Sequence, residues 1–264
     1  YANNPKYSSI DGILFNKKHT ELIKYPNLKV ESYTIPSTVT KIGDYAFEYC
    51  DELKNITIPS SVTSIGNSAF SNCSGLTSIE IPSSITIIGS SAFYNCFGLT
   101  TIKMPSSVTS IEMYAFSNCN TLSELKIPAS VKSIGICAFS SCTNLNSIYA
   151  YPISPVNLNS SIGVFSNIDK YTCTLYVPIG SKAAYEAANQ WKDFKNIVEF
   201  KDPTGINEVA CDQNIMLYPN PTTNKLFIKS ESFNYSSIKI FSLEGKCLIS
   251  EATSYLPENC IQFG

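Results

Sequence analysis

The chain has 264 residues, 44% of them hydrophobic and 15% charged. That is enough apolar material for a sizeable core and roughly two domains of ~100–200 residues, and it excludes a disordered tail. Nineteen Lys+Arg against 21 Asp+Glu leave a net charge of -2, which argues against nucleic acid or a polybasic membrane contact as partner. With one histidine in the chain, imidazole-based zinc sites are disfavoured, and a Ser-His or Cys-His catalytic pair would have to use His19. No apolar run approaches the ~18–20 residues that span a bilayer, so no transmembrane segment is expected. The chain begins at Tyr1 without a signal-like apolar stretch, which reads as a mature or trimmed form.

Residues 1–27 read as an N-terminal cap. Ile10-Asp11-Gly12-Ile13-Leu14-Phe15, the polar run Asn16-Lys17-Lys18-His19, and Glu21-Leu22-Ile23-Lys24-Tyr25-Pro26 suggest a hairpin with a polar tip. His19 on that tip reads as a solvated surface histidine rather than a catalytic base.

Residues 28–150 are organised by a repeat. Cys50, Cys73, Cys96, Cys119 and Cys142 follow one another at steps of 23 residues. Ala-Phe pairs ending at Phe47, Phe70, Phe93, Phe116 and Phe139 keep the same step, as do apolar-Pro pairs at Pro36, Pro59, Pro82, Pro105 and Pro128. Within one unit, Leu76-Thr77-Ser78-Ile79-Glu80-Ile81 has the two-residue period of a strand. Pro82 stops it, because proline cannot donate to the next ladder bond. Residues 83–88 form a second short extended stretch that Gly89 turns, and Ala92-Phe93 lead to Asn95-Cys96 on a tight or single-turn helical segment. Glu112 stands where the other units have Gly43, Gly66, Gly89 and Gly135, so that turn cannot strictly require the left-handed conformation. A unit this short cannot cover its own apolar face, and neighbours must stack. At ~4.8 Å per coil, five or six coils make a rod on the order of 25–30 Å long, with the phenylalanines as one spine and the cysteines as another.

Beyond Ser147-Ile148 the period loosens. Residues 151–200 read as an irregular repeat with Phe165 in a phenylalanine position, followed by a C-terminal cap. The cap has a strand at Thr174-Leu175-Tyr176-Val177-Pro178, Ser181 as N-cap of a helix over Lys182–Gln190, and Trp191, Phe194, Ile197 and Val198 as apolar cover. Lys201-Asp202-Pro203-Thr204-Gly205 reads as a linker. In residues 206–264, alternating runs at Lys225–Lys229 and Ser237–Leu243 with a Glu244-Gly245 turn suggest a small antiparallel β-sandwich.

These residues carry two resemblances. The pattern Leu-x-x-Ile-x-Ile-Pro-x-Ser-Val-Thr-x-Ile-Gly-x-x-Ala-Phe-x-x-Cys resembles the BspA-type leucine-rich repeats of bacterial surface proteins. The opening hairpin and the run Leu-Tyr-Val-Pro-x-Gly-Ser…Trp-Lys-Asp-Phe-x-Asn-Ile-Val-Glu look like the usual ends of such arrays. The fold so implied is a mainly β, right-handed leucine-rich-repeat solenoid of the α/β solenoid class, capped at both ends, with the small β-sandwich after it. The tail, with Tyr218-Pro219-Asn220-Pro221-Thr222 and Ile238-x-Ile240-Phe241-x-Leu243-x-Gly245-Lys246, resembles the C-terminal sorting domain of type IX secretion in Bacteroidetes. Such domains usually continue to a basic end, whereas this chain stops at Ile261-Gln262-Phe263-Gly264, so the domain is expected to be incomplete. The resemblance implies export to the cell surface or medium.

Five stacked thiols could bind a soft metal. Packing is the stronger reading, since buried cysteine behaves as a small hydrophobe and no C-x-x-C spacing or convergent histidine accompanies them. These five are expected to be reduced. Cys137, Cys173, Cys211, Cys247 and Cys260 lie off the ladder and are the ones free to pair. Glu80 and Glu124 lie two repeats apart and at different strand positions, which gives no convergent acid pair for glycoside hydrolysis. Asn72, Asn95 and Asn118 read as turn formers. One central position per strand, Thr34, Thr57, Glu80, Lys103, Lys126 and Tyr149, should line a sheet face. Thr57, Glu80, Lys103, Lys126 and Tyr149 are the candidate contact residues, although any parallel strand must turn something toward water. No catalytic residue, metal or cofactor is expected. The leading reading is a non-enzymatic, adhesin-like surface protein that binds a protein of the host matrix or of another cell. The alternatives are a glycan-binding module, which aromatic platforms on one face would favour, and a structural spacer.

Overall fold

The computed structural model describes residues 4–27 and 31–201, together with the backbone of strand segments 216–220, 225–229, 237–241, 247–252 and 260–263. Two compact units, Tyr1–Phe200 and Lys201–Gly264, divide the chain.

The first unit opens with β1 (Tyr7–Ile10), β2 (Ile13–Asn16) and β3 (Glu21–Lys24) as an antiparallel meander. The stretch expected to be one strand from Ile10 to Phe15 is broken at Asp11-Gly12, both of which take positive φ, 50° and 81°. Two such residues make the tight turn whose twist suits a two-residue hairpin. Each following coil gives a strand before its proline and a two-residue strand before its glycine position. These are β4 (Ser32–Thr34) and β5 (Lys41–Ile42), β6 (Asn55–Thr57) and β7 (Ser64–Ile65), then β8 (Ser78–Glu80) and β9 (Ile87–Ile88). After them come β10 (Thr101–Lys103) and β11 (Ser110–Ile111), then β12 (Glu124–Ile127) and β13 (Ser133–Ile134). The strands are shorter than the alternation suggests because each proline opens a turn: Ile85 N–H donates to the Pro82 carbonyl at 3.0 Å, and Val62 N–H to Pro59 likewise. The serine two places after the proline donates its hydroxyl to the coil below, as Ser61 does to Val39 O at 2.8 Å and Ser107 to Ile85 O at 2.6 Å.

The Ala-Phe segment is not a helical turn. Each coil there holds two non-glycine residues in the left-handed region, Tyr45 and Tyr49, Ser68 and Asn72, Ser91 and Asn95, Tyr114 and Asn118, Cys137 and Ser141, with φ between 52° and 63°. This costs roughly 1–2 kcal/mol per residue. In return, three amides per coil donate to the next coil, for instance Ser68 to Ser90 O, Phe70 to Ala92 O and Asn72 to Tyr94 O. This rail always donates toward the C-terminus. The bonds that flank the two-residue strands donate the other way, from Thr63 to Thr40 O, Gly66 to Ile42 O and Glu112 to Ile88 O. The recurrent glycine is not explained by φ, because Gly43, Gly66, Gly89 and Gly135 are not in the left-handed region. They are close-approach positions. A Cβ on Gly66 would lie 2.6 Å from Asp44 N.

Inside, Phe47, Phe70, Phe93, Phe116 and Phe139 are fully buried and stack with centroids 4.9–5.6 Å apart. Tyr25 and Phe165 continue this spine at its two ends, at 5.0 and 6.1 Å.

β14 (Ser147–Ala150), β15 (Thr174–Pro178) and β16 (Asn196–Phe200) pair in parallel with β12 in a four-stranded sheet, and α1 (Lys182–Ala187) crosses between β15 and β16. The helix ends earlier than Gln190, because Ala188 is already extended. Ser181 does not cap it: its hydroxyl donates to Pro178 O at 2.6 Å, while Glu199 Oε1 accepts from Gly180 N and Lys182 N at 2.9 and 3.2 Å. Trp191 Nε1 donates to Val156 O at 2.9 Å and Tyr185 Oη to Pro152 O at 2.6 Å, which pin the irregular coil. Gln190 terminates the turn-side rail by accepting from Val164 N at 2.9 Å.

In the second unit, β17 (Met216–Asn220), β18 (Lys225–Lys229) and β21 (Cys260–Phe263) form one antiparallel sheet, and β19 (Ser237–Phe241) with β20 (Cys247–Ala252) another. The expected linker beyond Lys201, and Cys211, lie outside the described residues, as do the side chains of Cys247 and Cys260.

Candidate binding face

The longer strands place the central residue of each coil outward. Thr34 pairs with Thr57, Glu80 with Lys103, and Lys126 with Tyr149 in register. Thr34, Thr57, Glu80, Lys103 and Lys126 are exposed and Tyr149 is half-buried. The charged members are already paired with neighbours on the same face. Lys54 meets Glu31 at 2.5 Å, Lys103 meets Glu80 at 3.2 Å and Lys126 meets Glu124 at 3.1 Å. The hydrogen bond to Glu124 raises the Lys126 pKa above its ordinary value. Glu80 and Glu124 thus serve different lysines and do not converge on one point.

Sequence reasoning missed what surrounds Tyr149. Its register partner on β15 is Tyr176, and the rings stack at 4.5 Å with 8° between planes. Phe200 stands nearly perpendicular to Tyr149, Tyr151 and Tyr176, at 5.4, 5.3 and 6.5 Å. Lys126 Nζ lies 5.7 Å from the Tyr149 ring centroid, a cation–π contact. Val198, expected to be cover for the core, is 40% exposed beside Tyr176, since its neighbour Ile197 takes the inward position. The signal was in the sequence as a register: aligning Ser147-Ile148-Tyr149 with Thr174-Leu175-Tyr176 superposes the two tyrosines.

The other candidates do other things. Cys73, Cys96, Cys119 and Cys142 are buried free thiols that donate to Phe47, Phe70, Phe93 and Phe116 carbonyls at 3.0–3.3 Å, and Cys50 is buried and free at the foot of the ladder. Burial pushes the Cys96 and Cys142 thiols up to about 12. Cys137 and Cys173 are also free thiols. Asn72, Asn95 and Asn118 hold left-handed turns as expected but also bond one another, with Asn95 Nδ2 donating to Asn72 Oδ1 and Asn118 Nδ2 to Asn95 Oδ1, both at 2.8 Å. His19 is half-buried rather than solvated: its Nε2 is 2.7 Å from Ser8 Oγ and its ring packs on Phe15 at 5.7 Å. Among the described residues, no group of three or more His, Cys, Asp or Glu could hold a metal ion, and no helix is long and apolar enough to cross a membrane.

Residues 23–146 match the model of the BspA type leucine rich repeat region in six copies. Residues 216–262 match the secretion system C-terminal sorting domain, and the protein is therefore exported, to the cell surface or beyond. No curated protein sequence matches the chain. Among solved structures, a leucine-rich-repeat protein of T. pallidum is similar over 67% of this chain and 80% of its own, at 29% identity and a TM-score of 0.56. The pneumococcal vaccine antigen PcpA shares the fold over 76% of this chain and 49% of its own, at 23% identity and a TM-score of 0.51. A leucine-rich cell surface protein of Faecalibacterium prausnitzii is 31% identical over 56% of this chain and 46% of its own, with a TM-score of 0.40. Leucine-rich-repeat folds of this kind are generally protein-interaction modules and generally non-enzymatic.

Proposed function

We propose that this exported protein is a non-enzymatic, adhesin-like binding protein whose strand face contacts a protein of the host matrix or of a neighbouring cell. The observation that carries the reading is the outward column Thr57, Glu80, Lys103, Lys126 and Tyr149, one side chain per coil, held on a stack of parallel strands. Side chains fixed on such a scaffold lose little freedom on binding, which favours affinity over the same residues on loops. The relationship to BspA-type repeats of surface proteins supports the same reading. The experiment is capture of the full chain on immobilised matrix proteins, beside a Lys103→Glu/Lys126→Glu variant. Saturable capture that the variant loses is the expected result. Capture indifferent to both substitutions moves the contact off this column, and no capture on any matrix protein favours a spacer.

A further inference from the structure

We infer that the C-terminal end of the strand face, around Tyr149, Tyr176 and Phe200, is a binding site for an uncharged oligosaccharide chain. The inference does not depend on the protein-contact reading: it shares Tyr149 with that column but rests on Tyr176 and Phe200 and takes a different ligand.

Three features of the face narrow the ligand. The first is its neutrality. Lys126 and Glu124, the charged residues beside the rings on β12, are bonded to each other at 3.1 Å, so a charged ligand would have to break that pair. The second is chemical composition. The aromatic row on β14 and β15 runs beside a second outward row, Ser147, Thr174 and Asn196, which is aligned by the register of β14, β15 and β16. All three are neutral hydrogen-bonding side chains, and Asn196 Nδ2 already donates to Thr174 Oγ1 at 2.7 Å, fixing the amide's orientation. The third is what the backbone withholds. The main-chain groups between β12, β14, β15 and β16 are used in parallel ladders, which confines strand addition at this end of the sheet to the outer edge of β16 and keeps it off the face itself. Recognition falls to ring surfaces, phenolic hydroxyls, hydroxyls and an amide. A pyranose chain complements that set, offering apolar C–H faces and neutral hydroxyls together.

The geometry also divides the labour. Tyr149 lies between Lys126 on one side and Tyr176 on the other, so the tyrosine pair offers ring edges and hydroxyls rather than open faces. Phe200, perpendicular to the pair, is the ring outside that stack and serves as the platform for a sugar ring. The rings are ordered by one another before any ligand arrives, which lowers the entropic cost of binding.

Affinity electrophoresis of the full chain in native gels containing starch, galactomannan, hydroxyethylcellulose or xyloglucan tests this. Retardation relative to a polysaccharide-free gel is expected with at least one polymer. Phe200→Ala and Tyr176→Ala should weaken it at least tenfold, and Lys132→Glu, at an exposed position beside β13, should leave the relative retardation unchanged. Tyr176→Phe keeps the stack and removes only a hydroxyl, so a several-fold loss there, with an unchanged circular dichroism spectrum, separates ligand contact from misfolding. Retardation in none of the four gels overturns the proposal. So does retardation indifferent to the Phe200 and Tyr176 substitutions, and so does loss of matrix-protein capture in Phe200→Ala without any polysaccharide binding, which would make the cluster a protein contact.

Discussion

A Cβ on Gly135 would lie 2.4 Å from the backbone nitrogen of Met113 in the coil below. The same modification at Gly89 meets nothing nearer than 3.2 Å, at the Gly66 and Ile65 carbonyls. Equivalent positions in the repeat therefore differ in how closely the coils approach. Gly135→Ala should destabilise the solenoid by about 1–3 kcal/mol, as overpacking a tight site does, and Gly89→Ala by clearly less. Urea unfolding midpoints of the two variants measure the difference. Equal midpoints would show that the coils shift to admit either side chain.

The phenylalanine spine makes a second prediction. Phe93 is fully buried, with Phe70 stacked at 5.2 Å and Phe116 at 5.1 Å. Phe93→Ala removes a ring from both contacts and should cost about 3–5 kcal/mol. Phe93→Leu should retain much of that, which chemical denaturation of both variants can compare.

Thiol burial predicts a pH dependence. Burial pushes the Cys96 and Cys142 thiols up to about 12 in the folded state, well above an ordinary thiol. Their contribution is fully present below pH 9 and is lost as pH rises toward 12, because there the unfolded chain binds fewer protons than the folded one. Between pH 9 and 11, Cys96→Ala should release about one proton fewer on unfolding than the parent, read from the slope of stability against pH. The native thiols should also resist alkylation at pH 8 until denaturant is added.

Lys103 and Glu80 are paired but have side chains 69% and 75% exposed. Solvent screening leaves such a pair little net worth. The double variant Lys103→Ala/Glu80→Ala should melt at the parent temperature within scatter, and any binding defect it shows would then report on contact rather than on folding.

The repeat and its spines could be read from spacing, because each coil must present its apolar residues at the same points for stacking to bury them. The local geometry was harder. Asn95 and Ser91 in left-handed turns look, as sequence, like one helical turn, and only the bonds to the next coil explain why Ser91 tolerates that backbone. The glycine column invited a φ argument, while its cause is contact with a coil 23 residues away. The Tyr149–Tyr176 cluster escaped because the irregular repeat places those residues 27 apart rather than 23, so no period points from one to the other. Phe200 joins them only through the parallel pairing of β16.

The turn-side rail described above donates in one sense only. An α-helix likewise aligns its peptide groups and leaves unpaired carbonyls and amides at its ends. Here the first carbonyls and the last amide of the rail find partners outside the regular coils: Lys24 Nζ and the Tyr25 N–H donate to the Tyr45 and Ala46 carbonyls, and Gln190 Oε1 accepts from the Val164 N–H. Whole coils gained or lost between those ends leave all three partners in place, so the turn side closes in the same way whatever the number of repeats.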